Sequence, residues 1–491
     1  MKDITDREQL IIGIDVGTTG VKVLAANPLG ETVAVAEATY SLSQPEAGYR
    51  EQDPEEILKV TEKNLKQVLD QLSRPVAAIS FGAAMHSLIA IDDQGKALTP
   101  AIIWADVRSS RYASGLRKTA LGRQLYEDSG APVHAMLPLC KIAWLRDNQA
   151  EIFRKTHKFI SIKEYCIAQW FGRYMVDYAI AGASGLWNKE TLQWNQQALE
   201  WAGIAEHQLS LVVPPTYQLG RPAFRSFDHP NITEDTKFIL GASDGCLANL
   251  NASGFNQKEA TLTLGTSGAI RITARNTLPD PAMSIFDYYL TDQYHVIGGP
   301  TNNGGIVLDW LRQKFYPDIS DPSVILQKAE TAGVGAEGVI CLPYFFGERA
   351  PLWREEVSGK FYGVQSQHGR DHFARAALEG IVFNLYGIAQ TLQTASSSQI
   401  EGLWTDGGLT QSDFMAQLIA NVFDLPVYRS SSTHGVARGA VLLGAFALGI
   451  TSIEEIIPQK KNVFQPDKKA HQLLFEAYKK FIHLRDEREP D

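Results

Sequence analysis

Gly13-Ile-Asp-Val-Gly-Thr-Thr-Gly-Val-Lys22 decides the fold, because its core pattern returns later in the chain. Residues 16–20 read Val-Gly-Thr-Thr-Gly between the β-rich runs Leu10–Ile14 and Val21–Ala25. Residues 264–268 read Leu-Gly-Thr-Ser-Gly between Ala260–Thr263 and Ala269–Thr273, an offset of 248 residues. Each copy predicts a strand, a Gly-Thr turn and a returning strand. Such turns are common hairpin punctuation, so the short match is ordinary taken alone. Its placement is not: one copy opens each half of the chain, which predicts two lobes of similar size.

Outward from these hairpins, β-rich runs alternate with amphipathic helical patterns, the signature of α/β layers. The pattern predicts a helix over Pro54–Leu72 with Asp53 as N-cap, strands over Val76–Phe81 and Ser87–Ile91, and a strand over Lys237–Gly241 leading to a helix after Asp244. Further on it predicts a strand over Gly402–Thr405, a helix over Ser412–Phe423, and an Ala/Gly-rich helix over Val436–Leu448 suited to close packing. The best boundary lies near 245–258, giving domains of 1–250 and 251–450 and a charged tail, 451–491, with one amphipathic helix around Lys468–Arg485.

The 491 residues suffice for two or three domains, each with its own core. With 44% hydrophobic and 21% charged residues the composition is that of a soluble globular protein. Forty-six basic against 55 acidic residues leave a net charge of −9, so there is no basic field to grip nucleic acid, and small molecules are the expected partners. Cys140, Cys166, Cys246 and Cys341 are widely spaced with no C-x-x-C pair, and read as buried thiols in a reducing compartment. The charged N-terminus lacks a signal-peptide core and no apolar stretch approaches a span of roughly 20 residues, so the expected location is cytoplasmic, away from membrane.

The first hairpin can carry chemistry. Gly17 and Gly20 allow close backbone approach, so the intervening N–H groups and the hydroxyls of Thr18 and Thr19 can cradle phosphate oxygens. Asp15 at the strand end suits Mg²⁺, an ion that favours a carboxylate plus phosphates. The plain alternative is a hairpin with a capping Asp. In the second copy Thr263 stands where Asp15 does, so that hairpin, with Gly265 and Thr266, would meet phosphate alone. Asp406-Gly407-Gly408 and Asn302-Asn303-Gly304-Gly305 are two more glycine turns ahead of helices, where a nucleotide phosphate can meet a helix N-terminus; the first also reads as an ordinary strand-to-helix loop and the second as a helix-capping turn.

Gly333-Val-Gly-Ala-Glu-Gly338 spells G-x-G-x-x-G in the wrong context, after a helical pattern and before a strand, and is set aside. No Walker loop and no His-Arg-Asp kinase loop occurs. Asp244, in Gly-Ala-Ser-Asp-Gly, is either a helix N-cap or a general base for a substrate hydroxyl attacking a γ-phosphate. Met85-His86 interrupts one apolar stretch and Trp104-Ala-Asp106 ends another, as core polar residues or as hydrogen-bonding partners for a polyol. Lys141 and Trp144 read as part of an amphipathic packing helix.

These residues together resemble the FGGY carbohydrate kinases. Met136–Asn148 fits the family's first signature, and Gly359-Lys-Phe-Tyr-Gly-Val364 with His372-Phe-Ala-Arg-Ala-Ala-Leu-Glu379 fits the second. The resemblance runs from residue 11 to about 450. It implies an α/β fold of two ribonuclease-H-like lobes, of the actin and sugar-kinase type, with ATP and polyol meeting in an interlobe cleft. It places Asp15 and Thr19 near Mg²⁺ and phosphate and makes Asp244 the base. It sets Thr266, Gly305, Gly408 and Ser412 along the nucleotide, and Met85 and His86 against the sugar. Within the family, Met85–Asp92, Trp104-Ala-Asp106, Pro132-Val-His134-Ala-Met136, Ser161–Tyr165, Gly265–Arg271 and Gly347–Trp353 look most like gluconate kinases. Asp106, His134 and Met136 therefore join the expected substrate residues. Pentulose kinases share Met-His and Glu51–Pro54, so a pentulose or polyol kinase is the alternative, and a non-catalytic actin-like ATPase a further one. His86, His134, Lys163, Arg271 and Arg349 are all open as the cation for a gluconate carboxylate. A homodimer is left open. Family members usually carry Glu where His434 aligns, a departure on the helix expected at the nucleotide.

Overall fold

Leu10–Val16 is apolar on both faces apart from Gly13 and Asp15, which suits a strand covered on both sides. In the computed structural model all seven residues are buried and the strand lies inside a six-stranded sheet. The structure describes residues 9–220, 228–429, 434–452, 455–456, 460 and 462–487. The strands of the first sheet are β1 (Leu10–Val16), β2 (Gly20–Ala26), β3 (Thr32–Thr39), β4 (Val76–Ala83), β5 (Gln218–Leu219) and β6 (Lys237–Ile239), in the order β5-β6-β4-β1-β2-β3. β1, β4 and β6 are parallel, whereas β2 and β3 form an antiparallel meander beside β1.

The second sheet holds β7 (Glu259–Leu264), β8 (Gly268–Ala274), β9 (Phe286–Thr291), β10 (Tyr294–Thr301), β11 (Gly402–Asp406), β12 (Val427–Arg429) and β13 (Val463–Phe464), in the order β9-β10-β8-β7-β11-β12-β13. β7 pairs antiparallel with β8 and parallel with β11, which is parallel to β12. The repeated Gly-Thr turns thus begin two sheets built on one plan. In each, the first strand has its own hairpin partner on one side and, on the other, parallel strands reached through crossovers. This is the ribonuclease-H-like wiring that the resemblance implies, and the two copies of it match the hairpin repeat.

The helices that carry or flank the expected site residues are α1 (Pro54–Leu69), α2 (Pro138–Asn148), α3 (Ile162–Phe171), α4 (Asp244–Ser253), α5 (Gly305–Phe315), α6 (Arg370–Ser396), α7 (Asp413–Phe423), α8 (Gly435–Ala447) and α9 (Lys468–Asp486). α1 begins as expected, with Asp53 Oδ1 accepting from Glu55 N at 2.9 Å, but ends at Leu69, three residues early. The predicted strand over Lys237–Gly241 stops at Ile239, and the one over Ser87–Ile91 begins at Ile89.

Chain contacts divide the molecule into one unit of Met1–Phe255, Asp287–Val296 and Ser432–Ile457 and another of Asn256–Phe286, Ile297–Ser431 and Pro458–Asp491. The first crossing falls inside the expected 245–258 window, but two pieces of the expected 251–450 lobe return to the first unit. One is α8, expected on the nucleotide side. Its Ala437, Val441 and Ala445 form a buried cluster with Ile11, Leu24, Ala78 and Ile239 of the first sheet. His434, where the resemblance leads one to expect Glu, opens that same helix and so belongs to the first unit. The other is the hairpin segment Asp287–Val296. The expected tail also differs, since α9 is no appendage: Leu474, Ala477, Tyr478 and Phe481 are buried, and the Tyr478 and Phe481 rings lie against Phe383 of α6.

The predicted close packing of the Ala/Gly-rich helix is seen at Gly439, where a Cβ would collide with the Leu247 carbonyl of α4. Gly13 likewise leaves room for the Ala437 carbonyl. Backbone on both sides leaves nothing flexible to yield. Gly439→Ala is expected to destabilise the first unit by about 1–3 kcal/mol through overpacking, read as a lowered urea midpoint. An unchanged midpoint would show that α4 and α8 can separate at little cost.

Candidate active site

In the first unit the expected residues collect at the carboxyl ends of β1, β4 and β6, where open α/β sheets hold ligands. β6 runs out at Ile239, and α4 starts at Asp244. The N-cap is Ser243, whose Oγ accepts from Cys246 N at 3.3 Å; Asp244 is the first helical residue. Asp244 Oδ1 accepts from its neighbour Gly245 N at 2.7 Å, and the side chain is partly exposed. The capping alternative for Asp244 is therefore excluded by geometry.

Asp15, at the end of β1, is buried and its Oδ1 meets no hydrogen-bond donor. Burial, reinforced by the charge of Asp244 and opposed by Lys22, pushes its carboxyl up to about 7. A buried carboxylate oxygen without a donor, next to a second carboxylate, fits a cation. Among the described residues no group of three or more His, Cys, Asp or Glu surrounds such a position. An ion held there would draw its remaining ligands from phosphate and water, as Mg²⁺ does.

The turn after Asp15 is held from three sides. Tyr40 Oη donates to Gly17 O, Gln52 Nε2 to Thr18 O at 2.7 Å, and Trp104 Nε1 to Thr18 Oγ1 at 2.9 Å. Thr19 is exposed. A small cavity lined by Gly17, Thr18, Gln52, Met85 and Trp104 opens beside this turn, so the expected phosphate and sugar residues share a wall.

His86 has φ +69°, a left-handed conformation that costs a non-glycine residue on the order of 1–3 kcal/mol and concentrates at functional sites. Its Nδ1 lies 2.7 Å from Ala183 O, and its carbonyl accepts from Lys141 Nζ at 2.6 Å. Lys141, read from sequence as a packing residue, is fully buried and donates also to Ile102 O at 3.0 Å and Ile103 O at 2.8 Å. It ties the Met85-His86 segment to the one leading into Trp104. Burial pulls its pKa down to about 7.

Asp106 is fully buried. Its oxygens accept from Arg108 Nε and Nη2 at 2.8 and 2.7 Å and from Arg50 N at 2.7 Å. Arg108 also pairs with Glu51 and lies 3.7 Å over the Tyr49 ring. Met136 is buried, and His134 Nδ1 accepts from Met136 N at 3.2 Å. Lys163, one of the open cations, is buried against Asp177 at 2.7 Å and donates to Ala242 O at 3.3 Å, beneath the loop to Asp244.

The second unit gathers its residues around the β7–β8 turn. Gly265 and Thr266 are exposed, and the turn is stitched to the start of α5: Gly305 N donates to Gly265 O at 2.7 Å and Ile306 N to Thr266 O at 3.0 Å. A Cβ at Gly305 would stand 2.8 Å from Gly265 O, so only glycine allows this approach. After β11, Gly408 is exposed with open space around its Cα, and Ser412 precedes α7 without capping it by its side chain. Arg271 Nη1 donates to Thr263 Oγ1 at 2.8 Å.

Sequence reasoning did not single out Tyr40, Glu348 or Asn384. Glu348 is buried and accepts from Thr301 Oγ1 at 2.6 Å, Asn302 N at 2.9 Å and Arg349 N at 2.7 Å. Burial pushes its carboxyl up to about 7 against these donors. Glu348 falls inside the Gly347–Trp353 stretch of the resemblance, but its position behind the Asn-Asn-Gly-Gly turn is invisible in one dimension.

Residues 10–251 match the N-terminal domain, and residues 260–448 the C-terminal domain, of the FGGY family of carbohydrate kinases. The chain is 38% identical over 449 residues to a gluconokinase of Bacillus subtilis, covering 89% of this chain and 88% of the relative. A gluconate kinase structure from Lactobacillus acidophilus superposes with a TM-score of 0.93 at 33% identity, covering 97% of this chain and 98% of the other. A ligand-bound xylulose kinase from the same organism gives a TM-score of 0.92 at 34% identity with the same coverage. Among the described residues no helix is long and apolar enough to cross a membrane.

Proposed function

The chain belongs to the FGGY family of carbohydrate kinases, and on that premise we propose that it phosphorylates a sugar acid, D-gluconate, to 6-phosphogluconate with ATP. The observation that carries the mechanism is the carboxylate of Asp244, placed at a helix start where Ser243 already caps. Asp244 takes the proton of the substrate hydroxyl as its oxygen bonds to the γ-phosphorus. The bond from that phosphorus to the bridging oxygen breaks, and ADP leaves with the electron pair.

Asp15 would hold Mg²⁺, whose charge offsets the negative charge of the transferring phosphoryl group. The backbone N–H groups of Gly17–Gly20 and the hydroxyls of Thr18 and Thr19 receive phosphate oxygens, and Trp104 fixes the Thr18 hydroxyl as an acceptor on one side so that its proton is left for a ligand. Gly265, Thr266, Gly305, Gly408 and Ser412 form the nucleotide side. Met85 and His86 contact the sugar, while Asp106, held by Arg108, shapes that wall from behind.

The likeness to gluconokinases supports gluconate as the acceptor. The similar xylulose kinase structure supports a pentulose as the second reading. ADP release measured across gluconate, xylulose, ribulose and glycerol is expected to give the highest kcat/KM with gluconate, because a site built for a carboxylate pairs a charge that neutral sugars leave unmatched. A higher kcat/KM with xylulose would transfer the assignment to the second reading.

A further inference from the structure

Glu348 is buried, and donors converge on it from three stretches of the second unit. Thr301 Oγ1, at the end of β10, and Asn302 N donate to separate carboxylate oxygens, at 2.6 and 2.9 Å. Asn303 Nδ2 reaches Oε2 at 3.2 Å, and Asn384 Nδ2 of the long helix α6 reaches the same oxygen at 3.3 Å. Arg349 N donates to Oε1 at 2.7 Å, and the Arg349 side chain turns back to Asn302 Oδ1 at 2.8 Å. Asn303 Nδ2 also donates to Gly347 O at 2.8 Å and Asn384 Nδ2 to Ala350 O at 3.3 Å, so the carboxylate joins these donors to the Gly347–Ala350 backbone in one network, and a buried carboxylate that accepts this many donors is a strong organiser.

What it organises is Asn302-Asn303-Gly304-Gly305. This turn and the residue after it make two contacts with the β7–β8 hairpin, Gly305 N to Gly265 O and Ile306 N to Thr266 O. A Cβ at Gly304 would stand 2.7 Å from the Ser267 backbone, so the two turns touch with no side chain between them. A shift of the first turn therefore reaches Gly265 and Thr266 undamped.

We propose that Glu348 is a positioning residue for the nucleotide: it anchors the Asn302–Gly305 turn, which in turn sets the Gly265–Thr266 hairpin against the phosphates. This rests on the proposed function, in which the hairpin takes those phosphates. Glu348→Gln keeps the size of the side chain but replaces one acceptor oxygen with a donor that faces other donors. It is expected to raise the KM for ATP about tenfold, the effect of losing one hydrogen bond to a charged group, while the KM for gluconate stays within about twofold. Thr301→Val, which removes one donor and leaves the carboxylate, should raise the ATP KM by a smaller factor, and it decides the matter alone if Glu348→Gln does not fold.

Gly305→Ala separates this proposal from the reading beneath it, since its Cβ presses directly on Gly265 O. A raised ATP KM in Gly305→Ala with none in Glu348→Gln or Thr301→Val overturns the anchoring role and keeps the hairpin as a nucleotide site. No rise in any of the three removes both. An equal rise in the KM values for ATP and gluconate in Glu348→Gln also overturns the proposal, because it marks general loosening.

Discussion

Asp244→Asn is expected to lower kcat for gluconate phosphorylation by about 10²–10⁴-fold while the protein stays folded and still binds ATP. A sugar hydroxyl is a weak nucleophile at neutral pH, and a carboxylate that accepts its proton as the O–P bond forms supplies that factor. Asn has the same shape and cannot take the proton. The structure makes the experiment clean, because the helix start does not depend on Asp244: Ser243 Oγ already accepts from Cys246 N. Removing the negative charge from the first turn of α4 costs only about 0.3–1 kcal/mol, too little to unfold the unit. Kinetics, calorimetric ATP binding and a thermal melt on one preparation test all three parts. Near-wild-type turnover in the folded variant would remove Asp244 as the base.

Lys163→Met should cost about 3–5 kcal/mol of stability, since removing one member of a buried ion pair strands the other charge. Lys163 and Asp177 are 1% and 0% exposed and 2.7 Å apart. The other oxygen of Asp177 accepts from Ala179 N and Ile180 N at the start of the next helix, so the carboxylate cannot swing out to water without uncapping it. Adding Asp177→Asn to Lys163→Met should restore most of the loss, because the amide oxygen can still cap and no buried charge remains. Urea unfolding of the two single variants and the double one gives the coupling directly. A Lys163→Met midpoint equal to wild type would show that water already reaches the pair. The same substitution frees Ala242 O in the loop before Asp244, so turnover should fall in the variant even well below its melting temperature.

The candidate site was partly legible in the sequence, in a pattern that follows the range of each interaction. Asp15, Thr18, Gly265 and Asp244 stand out because strand ends and tight turns have local signatures. Asp106 stands out for the same reason and Met136 only through the resemblance, yet the fold buries Met136 and engages both oxygens of Asp106 with Arg108 and backbone. The helical spacing of Lys141 predicts a packing residue, which is correct for the helix and silent about the ammonium. Its acceptors are three backbone carbonyls 55, 39 and 38 residues away. Every residue carries a carbonyl, so no letter in the sequence can announce that three of them will meet.

The sequence by itself determined the local elements and their duplication: the two Gly-Thr hairpins, the helix begun by Asp53 and Pro54, and a helix of Ala and Gly too smooth for anything but close packing. These depend on backbone preference and on apolar spacing within a few residues. Only the tertiary structure decided which sheet that smooth helix covers, because small apolar residues fit any flat surface and Ala437 and Val441 found the face of β1. It also decided that Ser243 and not Asp244 caps α4, since both side chains can cap and only the folded geometry shows which oxygen meets the Cys246 N–H. Glu348 was settled by the same kind of cause. Its donors come from Thr301, Asn303 and Asn384, and a buried charge takes whichever partners the packed chain delivers to it.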